Sequence, residues 1–173
     1  MTTSNQQPNK KLVEMFKSLS EIKDLSYADF RTKSWELFQK NGLPTRRNPN
    51  WHYTNLGQLD QFDFNQTADG SLSADAISQY LVADNCIVFV DGKFSQDLST
   101  YEQQAGLDIK IISADQQACS EKTNSIGSVL PPEGAGFAAL NGALFTDSLV
   151  ITVESGSKIE QHYQVLNLSL IHI

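Results

Sequence analysis

Cys86, Cys119, His52, His162 and His172 are the side chains of this chain best suited by type to hold a metal or supply a nucleophile. Their spacing points to neither role. The two cysteines stand far apart, and no histidine lies at zinc-ligand spacing from either. Cys86 falls in an apolar run, where a thiol behaves as a small buried hydrophobe. Cys119 lies in a polar segment with nothing nearby that marks a reactive thiol. A metal or cluster site would have to gather cysteines and histidines from distant parts of the chain. No GxxxxGK[ST] phosphate loop is present, and Gly134-Ala135-Gly136 follows Pro131-Pro132 rather than a strand. Serine, histidine and aspartate occur, but without a local arrangement that reads as a triad. Asp29 and Glu36 fall on a helix face expected in water. The expectation is a chain without catalytic residues, metal ligands or a cofactor site of its own.

Arg46 and Arg47 admit two readings. Adjacent guanidinium groups suit bidentate bonds to the carboxylates of an acidic ligand or partner, so that a small self-contained module could bind through the Arg46–Tyr53 loop. Alternatively an arginine ties down loop carbonyls or stacks on Trp51 or Tyr53. The structural reading is the one expected here, with Trp51 and Tyr53 as core anchors.

The elements that must position these residues follow from patterning. Hydrophobic residues make up 40% of the 173-residue chain and charged residues 19%, which describes a globular protein, and the apolar runs are strand-sized. The net charge of −7 works against nucleic acid or anionic lipid as a partner. No apolar segment follows the first lysines, so no secretory signal is expected, and two isolated cysteines then fit a reducing cytoplasm.

Leu12, Val13, Phe16 and Leu19 have helical spacing. Ser26 reads as the N-cap of a second helix, with Asp29 at its third position. Tyr27, Phe30, Ser34, Trp35 and Phe38 form its apolar stripe, and Arg31, Lys33, Glu36 and Lys40 are assigned to water. Gly42 suits a left-handed cap, and Pro44 ends the helix. Phe62 and Phe64 alternate in a polar connector. Ser73 opens a short helix with Ile77, Tyr80 and Leu81 as its stripe. Residues 86–95 predict a hairpin, with Asp91-Gly92 supplying positive φ at the turn. Leu107–Ser113 alternates as a half-buried strand does. A weak helix is placed within Asp115–Lys122, and a firmer one over Phe137–Phe145. Leu149–Val153 and Gln164–Ile171 read as strands around a Ser155-Gly156 turn.

Residues 1–136 therefore read as a mixed, largely helical region and 137–173 as the start of a sheet-rich body. The chain ends at Ile173 in an apolar strand with no polar closing element, which a complete domain avoids. It is expected to be a fragment, and Leu170-Ile171-His172-Ile173 need not be native sequence.

Three stretches carry a resemblance. Gly42-Leu43-Pro44-Thr45-Arg46-Arg47 followed by Trp51-His52-Tyr53-Thr54-Asn55-Leu56 resembles the entry motif of the SufD family of iron–sulfur assembly scaffolds. Asn-Pro-Asn replaces the usual acidic insert, and His52 stands where lysine is common. Ile87 to Ser95, around Asp91-Gly92, resembles the family's hairpin. Phe137 to Asn141 with Phe145-Thr146-Asp147 resembles the element that precedes its β-helix. The resemblance implies an α+β chain whose helical N-terminal region leads into the first turns of a truncated right-handed parallel β-helix. It implies a non-catalytic subunit of the SUF complex, acting with SufB-like and SufC-like proteins, with the cluster handled by the assembled complex. Residues proposed to act in assembly lie beyond this stretch, so none is carried over, and the motif positions are expected to be structural.

Overall fold

The computed structural model of the chain describes residues 10–21, 27–56, 59, 72–113, 126–128 and 136–169. In chain order the elements are α1 (Lys10–Ser20), α2 (Ala28–Asn41), α3 (Ala74–Ile77), β1 (Asn85–Val90), β2 (Lys93–Phe94), β3 (Leu107–Ser113), α4 (Gly136–Leu144), β4 (Asp147–Val153) and β5 (Tyr163–Leu168). Short 3-10 turns occur at Pro49–Trp51 and Ser78–Tyr80. This is an α+β chain. Its contacts divide into two compact units that alternate along the sequence, one within Met1–Asn65 and Asp115–Phe145, the other within Gln66–Ala114 and Thr146–Ile173.

The first unit is helical. Its core joins Leu12, Trp35, Phe38, Ala139 and Ala143, with the Phe16 ring stacked on Trp35 at 4.7 Å. Removing Leu12 and Phe38 from water contributes roughly 1.5–3 kcal/mol each. Helices α2 and α4 approach closely because small residues face each other. A Cβ on Gly142 would stand 2.7 Å from Ser34 Oγ and 3.2 Å from Phe30 Cε1. Ser34 itself is fully buried and satisfies its hydroxyl on the Phe30 carbonyl at 2.7 Å.

Ser26, expected as the N-cap, lies outside the described residues. The N-cap position of α2 belongs to Tyr27, whose backbone is left-handed. At the other end Gly42 takes φ 65° and returns its N–H to the Phe38 carbonyl at 2.7 Å. Its ψ is extended rather than left-handed, which carries the chain straight into Leu43-Pro44. Phe62, Phe64 and the weak helix within Asp115–Lys122 lie outside the described residues.

In the second unit β1 is the central strand, flanked by β2 and β5. After Asn85 its run Cys86-Ile87-Val88-Phe89-Val90 is apolar without alternation, because both faces are covered. Ile87 and Phe89 pack with Leu107 and Ile109 of β3, while Cys86 and Val88 pack with Ile77 on the opposite face. The predicted hairpin is present: β2 returns antiparallel to β1, and Asp91 and Gly92 take φ 48° and 82°. β5 lies parallel to β1, from Asn85 opposite Tyr163 to Val90 opposite Leu168. β3 and β4 form a separate antiparallel pair, from Leu107 opposite Val153 to Ser113 opposite Asp147. No closed or solenoid sheet is seen among the described residues. Ser73 caps α3 by accepting from the Ala76 N–H at 3.3 Å. Ile77 is buried there, but Tyr80 and Leu81 are exposed, so the expected stripe is narrower than its spacing suggested.

Candidate functional site

Arg31, assigned to water by its polarity, is the most deeply buried charge among the described residues of the first unit, with 1% of its surface exposed. Spacing explains its place: Arg31, Ser34, Trp35 and Phe38 fall at i, i+3, i+4 and i+7, one face of α2. Its Nη1 donates to the carbonyls of Phe145 at 2.5 Å and Ala143 at 3.4 Å. Its guanidinium carbon lies 3.7 Å from the centre of the Phe145 ring. The last carbonyls of a helix lack partners inside it and carry the negative end of its dipole. α4 has no basic residue in its own last turn, and Arg31 supplies the cation from α2. Burial lowers the pKa of Arg31 from its usual 12.5 to about 10. The guanidinium remains charged at neutral pH.

The loop after α2 holds the first motif. Its backbone is tied by bonds from the N–H of Asn48 to the Thr45 carbonyl at 2.9 Å, of Trp51 to Asn48 at 2.9 Å, and of Thr54 to Trp51 at 3.0 Å. Thr45 Oγ1 accepts from Arg47 N–H at 3.3 Å, and Asn48 Oδ1 from Asn50 N–H at 3.3 Å. His52 Nδ1–H donates to the Arg46 carbonyl at 3.1 Å. Gly42 and Pro44 at its start are half-buried, while Thr45, Arg46, Arg47 and Thr54 are exposed.

The two aromatic anchors part company. Trp51 is half-buried and tilts onto Phe137 at 5.1 Å. Tyr53 is 96% exposed, and among the described residues its ring contact is with the edge of His52, at 4.9 Å. The expectation of Tyr53 as a core anchor fails because the turn ending at Trp51 aims the next residues outward. The arginine seated on an aromatic ring is Arg31 on Phe145, rather than Arg46 or Arg47 on Trp51 or Tyr53.

In the second unit the hairpin motif and the end of the third motif come together. Thr146 Oγ1 donates to the Gly92 carbonyl at 3.0 Å, and Asp147 Oδ2 accepts from the Phe94 N–H at 2.7 Å. Asp91 N–H donates to the Leu168 carbonyl at 2.9 Å, which joins the turn to β5. Asn141 acts through its backbone, accepting from the Phe145 N–H at 3.0 Å.

A cleft of about 970 Å³ opens beside the start of β1, lined by Cys86, Asp84, Glu102 and His162 with apolar Leu81 and Val82. Cys86 is buried, and burial raises its thiol pKa, so the group stays neutral and is a poor nucleophile. Its backbone pairs on both sides with Thr100, at 2.6 and 2.8 Å. Cys119 lies outside the described residues. Among the described residues no three histidine, cysteine or acidic side chains gather as metal ligands, and no helix is long and apolar enough to cross a membrane.

Compared with known families, residues 6–165 match the model of the SufBD protein N-terminal region. No curated protein matches the chain.

Proposed function

Because the chain belongs to the SufB/SufD family, whose N-terminal region spans residues 6–165, we propose that it is the N-terminal part of a SufD-like scaffold in SUF iron–sulfur cluster assembly. The family match carries this reading. The form of the first motif, Gly42 to Leu56, favours the SufD branch over SufB. In this reading the chain is non-catalytic and cytoplasmic, and it works with SufB-like and SufC-like proteins. The cluster is cargo of that assembly, and this region supplies no ligand to it.

The parallel pairing of β1 with β5 supports a role at the start of a right-handed parallel β-helix. Parallel strands stacked in register are what such a helix repeats, and each rung needs a neighbour to bury its apolar face.

The test is co-expression of the gene product carrying this region with SufB-like and SufC-like proteins from the same genome, followed by affinity purification and iron and sulfide analysis. The expected result is co-purification of all three. Co-purification with neither protein would overturn the reading. Hydrolytic or redox turnover by the isolated chain would overturn its non-catalytic part.

A further inference from the structure

The loop after α2 joins a closely tied backbone to side chains that the fold leaves in water. Between Glu36 and Asp60 the sequence has no acidic residue, while Lys40, Arg46 and Arg47 are cationic, in a chain of net charge −7. Arg46, Arg47 and Tyr53 are all exposed, Tyr53 almost completely. We propose that Arg46, Arg47 and Tyr53 form a docking surface for an acidic protein segment that carries an apolar side chain beside its carboxylates.

Three observations carry this. Tyr53 is not packed into a core and touches the exposed His52 ring edge-on, so its exposed face can cover a partner's apolar side chain. Exposed guanidinium groups match carboxylates in a two-bond geometry that lysine cannot reproduce. The loop is also preorganised by the Thr45, Asn48 and His52 hydrogen bonds, so little ordering is lost on binding. Tyrosine and arginine are the residue types most often found where binding energy concentrates, tyrosine because it offers a large rigid surface with few rotatable bonds. A long polyanion such as nucleic acid would meet the same arginines but also the repulsion of the whole acidic chain. A short acidic segment meets mainly the loop. The inference stands independently of the scaffold reading.

The test uses the full chain and four probes in fluorescence anisotropy: a fluorescein-labelled (Glu-Glu-Leu-Gly) repeat peptide, its lysine counterpart, duplex DNA, and phosphatidylserine vesicles. The glutamate peptide is expected to bind with an affinity that falls as salt rises. Arg46→Glu with Arg47→Glu is expected to weaken it by about tenfold or more, and Tyr53→Ala by about threefold or more. All variants are expected to unfold at the wild-type urea midpoint, because these side chains are exposed. No binding of the glutamate peptide, or binding that the substitutions leave unchanged, overturns the proposal. So does arginine-dependent binding that is tighter for DNA or vesicles than for the peptide.

Discussion

Substituting Arg31 by methionine separates its charge from its bulk. The charge makes hydrogen bonds to the Phe145 and Ala143 carbonyls and lies over the Phe145 ring. A hydrogen bond from a charged group contributes roughly 1.5–3 kcal/mol and a desolvated cation–π contact about 2. Opposing them is the removal of a guanidinium from water. The fall in pKa from 12.5 to about 10 is net of those contacts, and sets the charged form at a disadvantage of roughly 3 kcal/mol at about 1.4 per pH unit. Methionine removes that disadvantage but leaves the Phe145 and Ala143 carbonyls without the Arg31 N–H, at about 1–3 kcal/mol each, so the two effects roughly offset. The stem, on the buried face of α2 that also carries Ser34, Trp35 and Phe38, is not neutral. Arg31→Met is therefore expected to change the unfolding free energy by about 1 kcal/mol or less, and Arg31→Ala to cost roughly 3–5 kcal/mol through a cavity and unmet carbonyls. Urea unfolding of the full chain by circular dichroism measures both. Equal losses for the two variants would refute the reasoning, because the charge rather than the packing would then be decisive. The pH dependence gives a second check. Near neutrality folded and unfolded states both hold the proton, so the difference between wild type and Arg31→Met is flat. Above about pH 10 the folded guanidinium gives up its proton first, the unfolded state binds more protons, and wild-type stability rises relative to the variant.

Gly142→Ala gains about 1 kcal/mol in helix propensity, but the new Cβ meets Ser34 Oγ at 2.7 Å, and that hydroxyl is fixed on the Phe30 carbonyl. Overpacking is expected to win, with a net loss of about 1–2 kcal/mol in urea unfolding, and a net gain would show that α2 and α4 separate easily. Asp147→Ala leaves the Phe94 N–H without its acceptor and is expected to cost about 1–3 kcal/mol, with Asp147→Asn recovering most of it in the same assay. Trp51→Ala, at a half-buried site, is expected to cost about 1–2 kcal/mol rather than the 3–5 of a fully buried tryptophan, by the same measurement. The Cys86 thiol is expected to resist Ellman's reagent until the chain is unfolded. Its folded pKa is raised, so its contribution is whole below the unfolded thiol pKa of about 8.5 and is lost as pH rises beyond it, while Cys86→Ala lacks that alkaline decline.

What the sequence made legible was local. The Asp91-Gly92 turn, the alternation of Leu107–Ser113 and the unbroken apolar run of β1 are each set by neighbours within a few residues. Their places in the structure agree with that reading. Polarity puts Arg31 in water, whereas spacing puts it on one face with Ser34, Trp35 and Phe38, and position outweighs polarity here. The signal was there, since an arginine on the apolar stripe of a well-marked helix needs a partner. Tyr53 erred in the opposite direction. An aromatic two residues after a tryptophan reads as a second anchor only if the backbone alternates as a strand does, and the 3-10 turn at Pro49–Trp51 breaks that alternation. The parallel match of β1 with β5 had no local signal at all, because it joins residues separated by most of the second unit.

The third motif explains why three modest stretches occur together. Within the first unit Phe137 meets Trp51, Gly142 meets Ser34, and Phe145 lies under Arg31. Within the second, Thr146 and Asp147 hold the turn and return strand of the hairpin. The segment from Phe137 to Asp147 thus supplies partners to the first motif through its early residues and to the hairpin through its last two. Each residue type answers a distant requirement: an aromatic beneath a guanidinium, a missing side chain against a serine, and a carboxylate opposite a hairpin N–H. The side chains of Arg46, Arg47 and Tyr53 answer no such requirement among the described residues. Residues held in a closely bonded loop yet unused by their own fold are the ones whose chemistry is left for a partner.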